Sequence, residues 1–228
     1  MKKIKISSEL SYLLSICFIA LSVAMASAAD FGVSMIAAPT YILSLKFDFL
    51  TFGQWEYCVQ SVLFIAMCIL LRKFKPLYLM GFLTSIIYGT VLDLWRIIIP
   101  MLNPSVTAPG SMDMVTRIVL FIVAEILIGF ALPLAIRSYL PPQVYDFFTK
   151  TVAEHFKVDF VKFKRFYDLS FLVVSVLLSL LLFRGFVGIG IGTVIITLVN
   201  APVIGVFTRI IDKYCVFVPS FKGLEKYF

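Results

Sequence analysis

Four ionisable side chains interrupt the long apolar runs of this 228-residue chain, and its chemistry must be sought there. Glu125 stands in the middle of the run 117–136, eight residues from Arg117 and twelve from Arg137. A charge at the centre of a bilayer costs about 2.5–3.5 kcal/mol on insertion scales, so a carboxyl there needs a partner or a task. It can bind a cation, relay a proton or hydrogen-bond across a helix pair, and it is the strongest candidate for coupling to an ion. Asp93 and Arg96 are three apart, share a helix face, and can either pair with each other or contact a solute. Glu56 shares a face with Gln60 near the outer end of its run, beside Gln54 and Trp55, at a depth that water reaches.

Asn200 adds an amide within the last run, where Pro202 disturbs the hydrogen-bond ladder as Pro133 does in the fourth. Gly188, Gly190 and Gly192 recur at every second position, which fits neither a GxxxG dimer face nor a phosphate loop. They permit close backbone approach or an irregular helix start. The candidate substrate- or ion-binding residues are therefore Glu125, Asp93, Arg96, Glu56 and Asn200. The candidate backbone and hinge residues are Gly188, Gly190, Gly192, Pro202 and Pro133. No catalytic residue, metal or cofactor is expected: His155 is the sole histidine and lies in a polar connection, and the four cysteines show no CxxC or Cys/His spacing.

These residues must be positioned by membrane helices. The chain is 61% hydrophobic and 14% charged, with a mean hydropathy of +1.02. Apolar runs at 10–29, 52–71, 77–99, 117–136, 168–183 and 188–208 approach the ~20 residues a helix needs to cross ~30 Å of hydrocarbon. Sixteen of the twenty Lys and Arg residues fall in alternate gaps: Lys2, Lys3 and Lys5; Arg72, Lys73 and Lys75; six from Arg137 to Arg165; four from Arg209 to Lys226. Basic loops stay cytoplasmic, so both termini are placed inside. The first run is read as a transmembrane helix, not a cleaved leader. The net charge of +7 serves topology and anionic lipid, and nucleic acid is not expected as a partner.

The fold class is an all-α membrane protein of six transmembrane helices, one polytopic domain over 1–228. Three passes per half place repeat one (about 8–102) and repeat two (about 114–212) in opposite orientations, with a cytoplasmic tail at 213–228. Residues 30–51, apolar but broken by Gly32 and Pro39, read as a re-entrant or interfacial segment. The stripe Val144, Phe147, Phe148, Val152 and Phe156 predicts an in-plane amphipathic helix within 141–157, a possible docking face for a protein partner or a second copy.

The pieces Phe31-Gly-Val-Ser34, Leu50-Thr-Phe-Gly-Gln-Trp55, Gly89-Thr-Val-Leu-Asp93, Gly188-Ile-Gly-Ile-Gly-Thr-Val194 and Ala201-Pro-Val-Ile-Gly205 resemble the YczE/YyaS/YitT family of bacterial membrane proteins. Pro39 departs from that pattern, which places a proline directly after Gly-Val-Ser, and Tyr139-Leu-Pro-Pro-Gln143 replaces the glycine-rich turn expected in the second repeat. The resemblance implies an integral protein of the cytoplasmic membrane and says little of substrate. Together these features predict a permease-like transporter of a small solute or ion. Glu125, Asp93, Arg96 and Asn200 would line one polar cavity between the halves, driven by protons or sodium because no nucleotide-binding motif is present. The alternatives are a non-transporting membrane scaffold or assembly partner, and a substrate-binding membrane component served by a separate ATPase.

Overall fold

The computed structural model describes residues 3–74 and 78–221; Lys2, Lys75, Lys226 and the end of the expected tail lie outside the described residues. A short strand β1 (Ile4–Ser7) leads into α1 (Ser8–Ala29), then α2 (Ala38–Lys46), α3 (Phe52–Leu71), α4 (Tyr78–Ile98), α5 (Met114–Ile136), α6 (Val144–Phe156), α7 (Phe160–Phe183), α8 (Ile191–Tyr214) and β2 (Cys215–Val218). Six of these, α1, α3, α4, α5, α7 and α8, are long and apolar enough to cross a membrane. The protein is a polytopic α-helical membrane protein.

Side-chain caps decide where the helices start. Ser7 accepts from Leu10 N, Thr51 and Gln54 form a capping box, and Asp113 accepts from Thr116 N. Asp159 accepts from Lys162 N, so α7 begins eight residues before the apolar run at 168 and takes Lys164 and Asp168 into the helix. The last helix begins at Ile191, three residues after Gly188, whose φ of 73° is a left-handed conformation that ends extended chain and that a side chain rarely adopts.

The central element is α1, which packs along α5 and α4 and buries a small-residue surface that includes Ser11, Ser15, Ala20, Ser22 and Ala24. The contact with α5 is reciprocal. The fourth residue of α1, Ser11, donates to Leu134 O near the end of α5, and the fourth residue of α5, Arg117, donates to Ala29 O and Asp30 O at the end of α1. Outward from this pair, α1 packs on α4 as α5 packs on α8, and each short helix, α2 and α6, contacts both α3 and α7. The exchange fails at two places among the described residues: α3 runs along α4 and α4 touches α6, whereas α7 and α8, and α8 and α2, form no comparable seams.

Three segments outside the six long helices take definite structure. The segment 30–51 holds a helix, α2, that starts at Ala38 with Pro39 in its first turn and is buried through Ile42. The helix expected at 141–157, α6, buries Val144, Phe148 and Val152 of its apolar stripe against its neighbours, leaving Phe156 exposed beyond the covered face. The segment after 213 is not a free tail: β2 pairs in parallel with β1, Ile4 opposite Cys215 and Ser7 opposite Val218. Glu9 then accepts from Ser220 N and Phe221 N, and Arg137 pairs with Asp212 at 2.6 Å. Both ends of the described chain thus meet at one end of the bundle, which requires an even number of crossings.

The tightest helix crossing joins α3 to α4 through two glycines. A Cβ on Gly53 would collide with Gly89 O, and one on Gly89 would lie 2.5 Å from Gly53 O. Gly53→Ala is expected to destabilise the protein by about 1–3 kcal/mol through overpacking. Gly205→Ala, whose Cβ would meet nothing within 4 Å, is the matched control and is expected to be neutral or slightly stabilising. Thermal unfolding of both variants in detergent measures the difference.

Candidate functional site: polar groups between the helices

The polar network with the most members forms around Glu56, where α3 meets both short helices. Glu56 is 1% exposed and Gln60, one turn on, is 0% exposed. Thr40 of α2 donates to Glu56 Oε1 at 2.6 Å; Gln60 Nε2 and the Tyr145 hydroxyl of α6 donate to Oε2 at 3.3 and 3.1 Å. Ser85 of α4 donates to Gln60 Oε1 at 2.5 Å and accepts from Val144 N, the first amide of α6, at 3.2 Å. Neutral groups from α2, α3 and α6 therefore hold the carboxyl, and the network extends to α4. Burial first, and then the nearby Glu56, push the Tyr145 phenol well above its ordinary range, which fixes it as a donor.

The sequence reading placed Glu56 at a wet interface. The residue does lie in the second turn of α3, but Thr40 and Tyr145 arrive from the flanking helices and exclude water. The signal for this was present: Thr40 and Tyr145 stand within the first turn of two short helices whose apolar faces need cover.

The same positions recur in the second half with different chemistry. Thr40 is the third residue of α2 and Asp146 the third of α6; Glu56 and Lys164 are the fifth residues of α3 and α7, and Gln60 and Asp168 the ninth. Lys164 Nζ lies 3.2 Å from Asp146 and 3.3 Å from Asp168. A neutral network around a carboxyl in one half is answered by an ion-paired lysine in the other.

The other candidates are brought to separate places, so the single cavity expected to unite Glu125, Asp93, Arg96 and Asn200 does not form. Asp93 does not pair with Arg96: it accepts from Gly53 N at 2.9 Å and from the Thr51 hydroxyl, closing the start of α3. Free N–H groups and the positive end of the helix dipole make that a good carboxylate site three residues from the arginine. Arg96 turns instead to α1, donating from Nη2 to Ser27 Oγ at 2.9 Å. Glu125, 9% exposed, and Asn200 lie along the α5–α8 seam, between the Phe121–Gly192 contact and the Gly129–Val203 contact. Each has a buried oxygen, Glu125 Oε2 and Asn200 Oδ1, without a hydrogen-bond partner. Pro133 and Pro202 lie inside α5 and α8, which continue through them; neither proline can offer an N–H to the carbonyl four residues earlier.

The glycines before α8 are packing residues. Gly192 N donates to Phe31 O at 2.7 Å, Val33 N to Gly188 O at 3.1 Å and Thr193 Oγ1 to Val33 O at 2.8 Å. A Cβ on Gly190 would lie 2.6 Å from Phe31 O. Their backbone groups are thus spent on the segment after α1, not displayed to a solute.

The chain belongs to the family described as "Family of unknown function (DUF6198)", whose model matches residues 6–209. It is 25% identical over 206 residues to a protein of Bacillus subtilis (strain 168) named "Uncharacterized protein YyaS", a match covering 89% of this chain and 93% of the relative. No solved structure matches.

The Glu56 network makes a measurable coupling. Tyr145→Phe removes a hydrogen bond to a carboxylate and is expected to cost about 1–3 kcal/mol. In a Glu56→Gln background the same change should cost less than half as much, because the charge-assisted part of the bond is already gone. Equal costs in the two backgrounds, read from thermal unfolding, would show that the hydroxyl does not sense the carboxyl.

Proposed function

We propose that this protein is a small-solute or ion transporter of the bacterial plasma membrane, with both termini cytoplasmic and two inverted three-helix repeats at about 8–102 and 114–212. Kinship with YczE and YitT as well as YyaS is part of the same reading. One observation carries it: Glu56, buried without a cation among its hydrogen-bond partners, is held by donors from two short helices. One of these, α2, follows the end of α1, and the other, α6, follows the opposite end of the bundle. A charge-capable group between short helices that come from the two ends matches the ground plan of secondary transporters. The reciprocal α1–α5 contacts and the matching positions of Glu56 and Lys164 support the repeat.

Rocking one repeat against the other would withdraw Tyr145 from Glu56 while Thr40 and Gln60, on the first repeat, move with it. The carboxylate, left with fewer donors, takes up a proton or sodium ion from one side, and return of Tyr145 displaces it to the other. The coupling role read from sequence for Glu125 moves to Glu56 in this scheme, because Glu56 touches both repeats. The test is solute-driven proton or sodium flux in proteoliposomes, across a panel of sugars, amino acids and inorganic ions. Glu56→Gln is expected to keep the melting temperature within a few degrees and to lose cation-coupled flux by at least tenfold. Coupling kept in Glu56→Gln but lost in Glu125→Gln would move the site to the α5–α8 seam.

A further inference from the structure

Glu125 and Asn200 each keep a buried oxygen, Oε2 and Oδ1, that no donor among the described residues meets. Both stand on the α5–α8 seam, and its register brings them to one level. Phe121 lies against Gly192, and Gly129 against Val203 and Phe207, so the two helices run parallel with partners 71 to 78 residues apart. Glu125 and Asn200 are 75 apart. The hydroxyls nearest to that level are committed: Ser22 of α1 donates to Ala124 O at 2.9 Å, and Thr197 to Thr193 O at 2.7 Å.

Charged groups are out of reach as well. The elements packed along α5 are α1 and α8. On α5 itself, Arg117 and Arg137 lie eight and twelve residues from Glu125, about 12 and 18 Å at the rise of a helix, and are paired with Asp30 and Asp212. On α8, Arg209, Asp212, Lys213 and Tyr214 follow Asn200 by nine residues or more. On α1, Glu9 accepts from Ser220 N and Phe221 N, Tyr12 is bonded to Thr84, and Cys17 lies more than one turn from Ser22.

Two acceptors at one level, with no donor between them, lack a single hydrogen atom. A proton taken up by Glu125 Oε2 supplies it: the carboxyl becomes neutral, its hydroxyl donates to Asn200 Oδ1, and both buried oxygens are satisfied at once. Turning the Asn200 amide over, so that Nδ2 donates to a carboxylate, leaves a full charge in the middle of a span, which the bilayer penalises. Glu56 is the contrast, since three donors meet its carboxyl.

We infer that the α5–α8 seam is a proton-binding site, in which Glu125 carries the proton and Asn200 accepts its hydrogen bond. This ligand needs no cavity, because a proton occupies only the line between two oxygens. Its presence governs how α8 is held. That helix packs along α5, is fixed at its ends by β2 and by the segment after α1, and forms no comparable seam with α7 among the described residues. With the proton in place an O–H···O bond joins α5 to α8 at the middle of the seam; with the proton gone, a carboxylate faces an amide oxygen and the two repel. Both helices belong to one proposed repeat, so the site does not rest on the role of Glu56.

The test is the infrared spectrum of the full chain in liposomes in heavy water at neutral pH, where the carbonyl of a protonated carboxyl absorbs apart from carboxylates and from the backbone amides. An acid band is expected that is lost in Glu125→Gln and kept in Glu56→Gln. Asn200→Leu, similar in size but without the acceptor, should move that band to higher frequency. A spectrum with no acid band, or one whose band disappears in Glu56→Gln and not in Glu125→Gln, overturns the site. So does a band that stays in place in Asn200→Leu, which decides the matter even if Glu125→Gln does not fold.

Discussion

Apolar side chains gain little by leaving lipid for a neighbouring helix, so this bundle depends on how closely its backbones approach. The α1–α5 pair meets over serines and alanines, and other close approaches are made by glycines: Gly53 against Gly89, Gly190 and Gly192 against Phe31. Side chains that would hold helices apart are missing at these places, and the carbonyl of one element lies against the α-carbon of the next. Four of the five short segments that carry the resemblance drawn from the sequence lie in these contacts. Residues 50–55 meet 89–93, and residues 31–34 meet 188–194, so four motifs far apart in sequence reduce to two joints. What the resemblance marks in this chain is packing, and the polar groups are arranged around it.

Close packing also explains why those groups are dispersed. Among the described residues each ionisable side chain is met separately by whatever the nearest crossing offers. Glu56 receives hydroxyl and amide donors, Asp93 the open amides at the start of α3, Arg96 a serine and two rings. Carboxylate and guanidinium three residues apart on α4 go to different neighbours because a helix start presents free N–H groups to the first and an aromatic floor lies under the second.

Much of this was legible from composition and periodicity. The six crossings are long uniform signals, and their ends fell within a few residues wherever Thr51 or Asp113 supplied a cap. Where a polar cap precedes the apolar run, as Asp159 does, hydropathy alone starts the helix too late. The depth of Glu56 was misread because distance from a helix start measures depth only when nothing covers that end, and α2 and α6 do. The spacing of Asp93 and Arg96 was correct for a pair, but spacing on one helix carries no information about a second helix that competes for one partner. The Glu125–Asn200 seam was half legible: both residues were recognised as polar intrusions, while their alignment depends on the register of α5 against α8. Strands of four residues carry no periodic signal at all, and β1 and β2 were missed.

That small sheet sets an order of events during synthesis. Residues 4–7 leave the ribosome before the six spanning helices and 215–218 after them, so β1 stays without its partner while every one of those helices is being inserted. The clasp closes a loop of some two hundred residues, and the entropy of that closure is met most readily after the intervening helices have already brought the ends together. Assembly of the bundle and the joining of β1 to β2 are therefore separate steps, and the second can proceed only once the segment after α8 has been made.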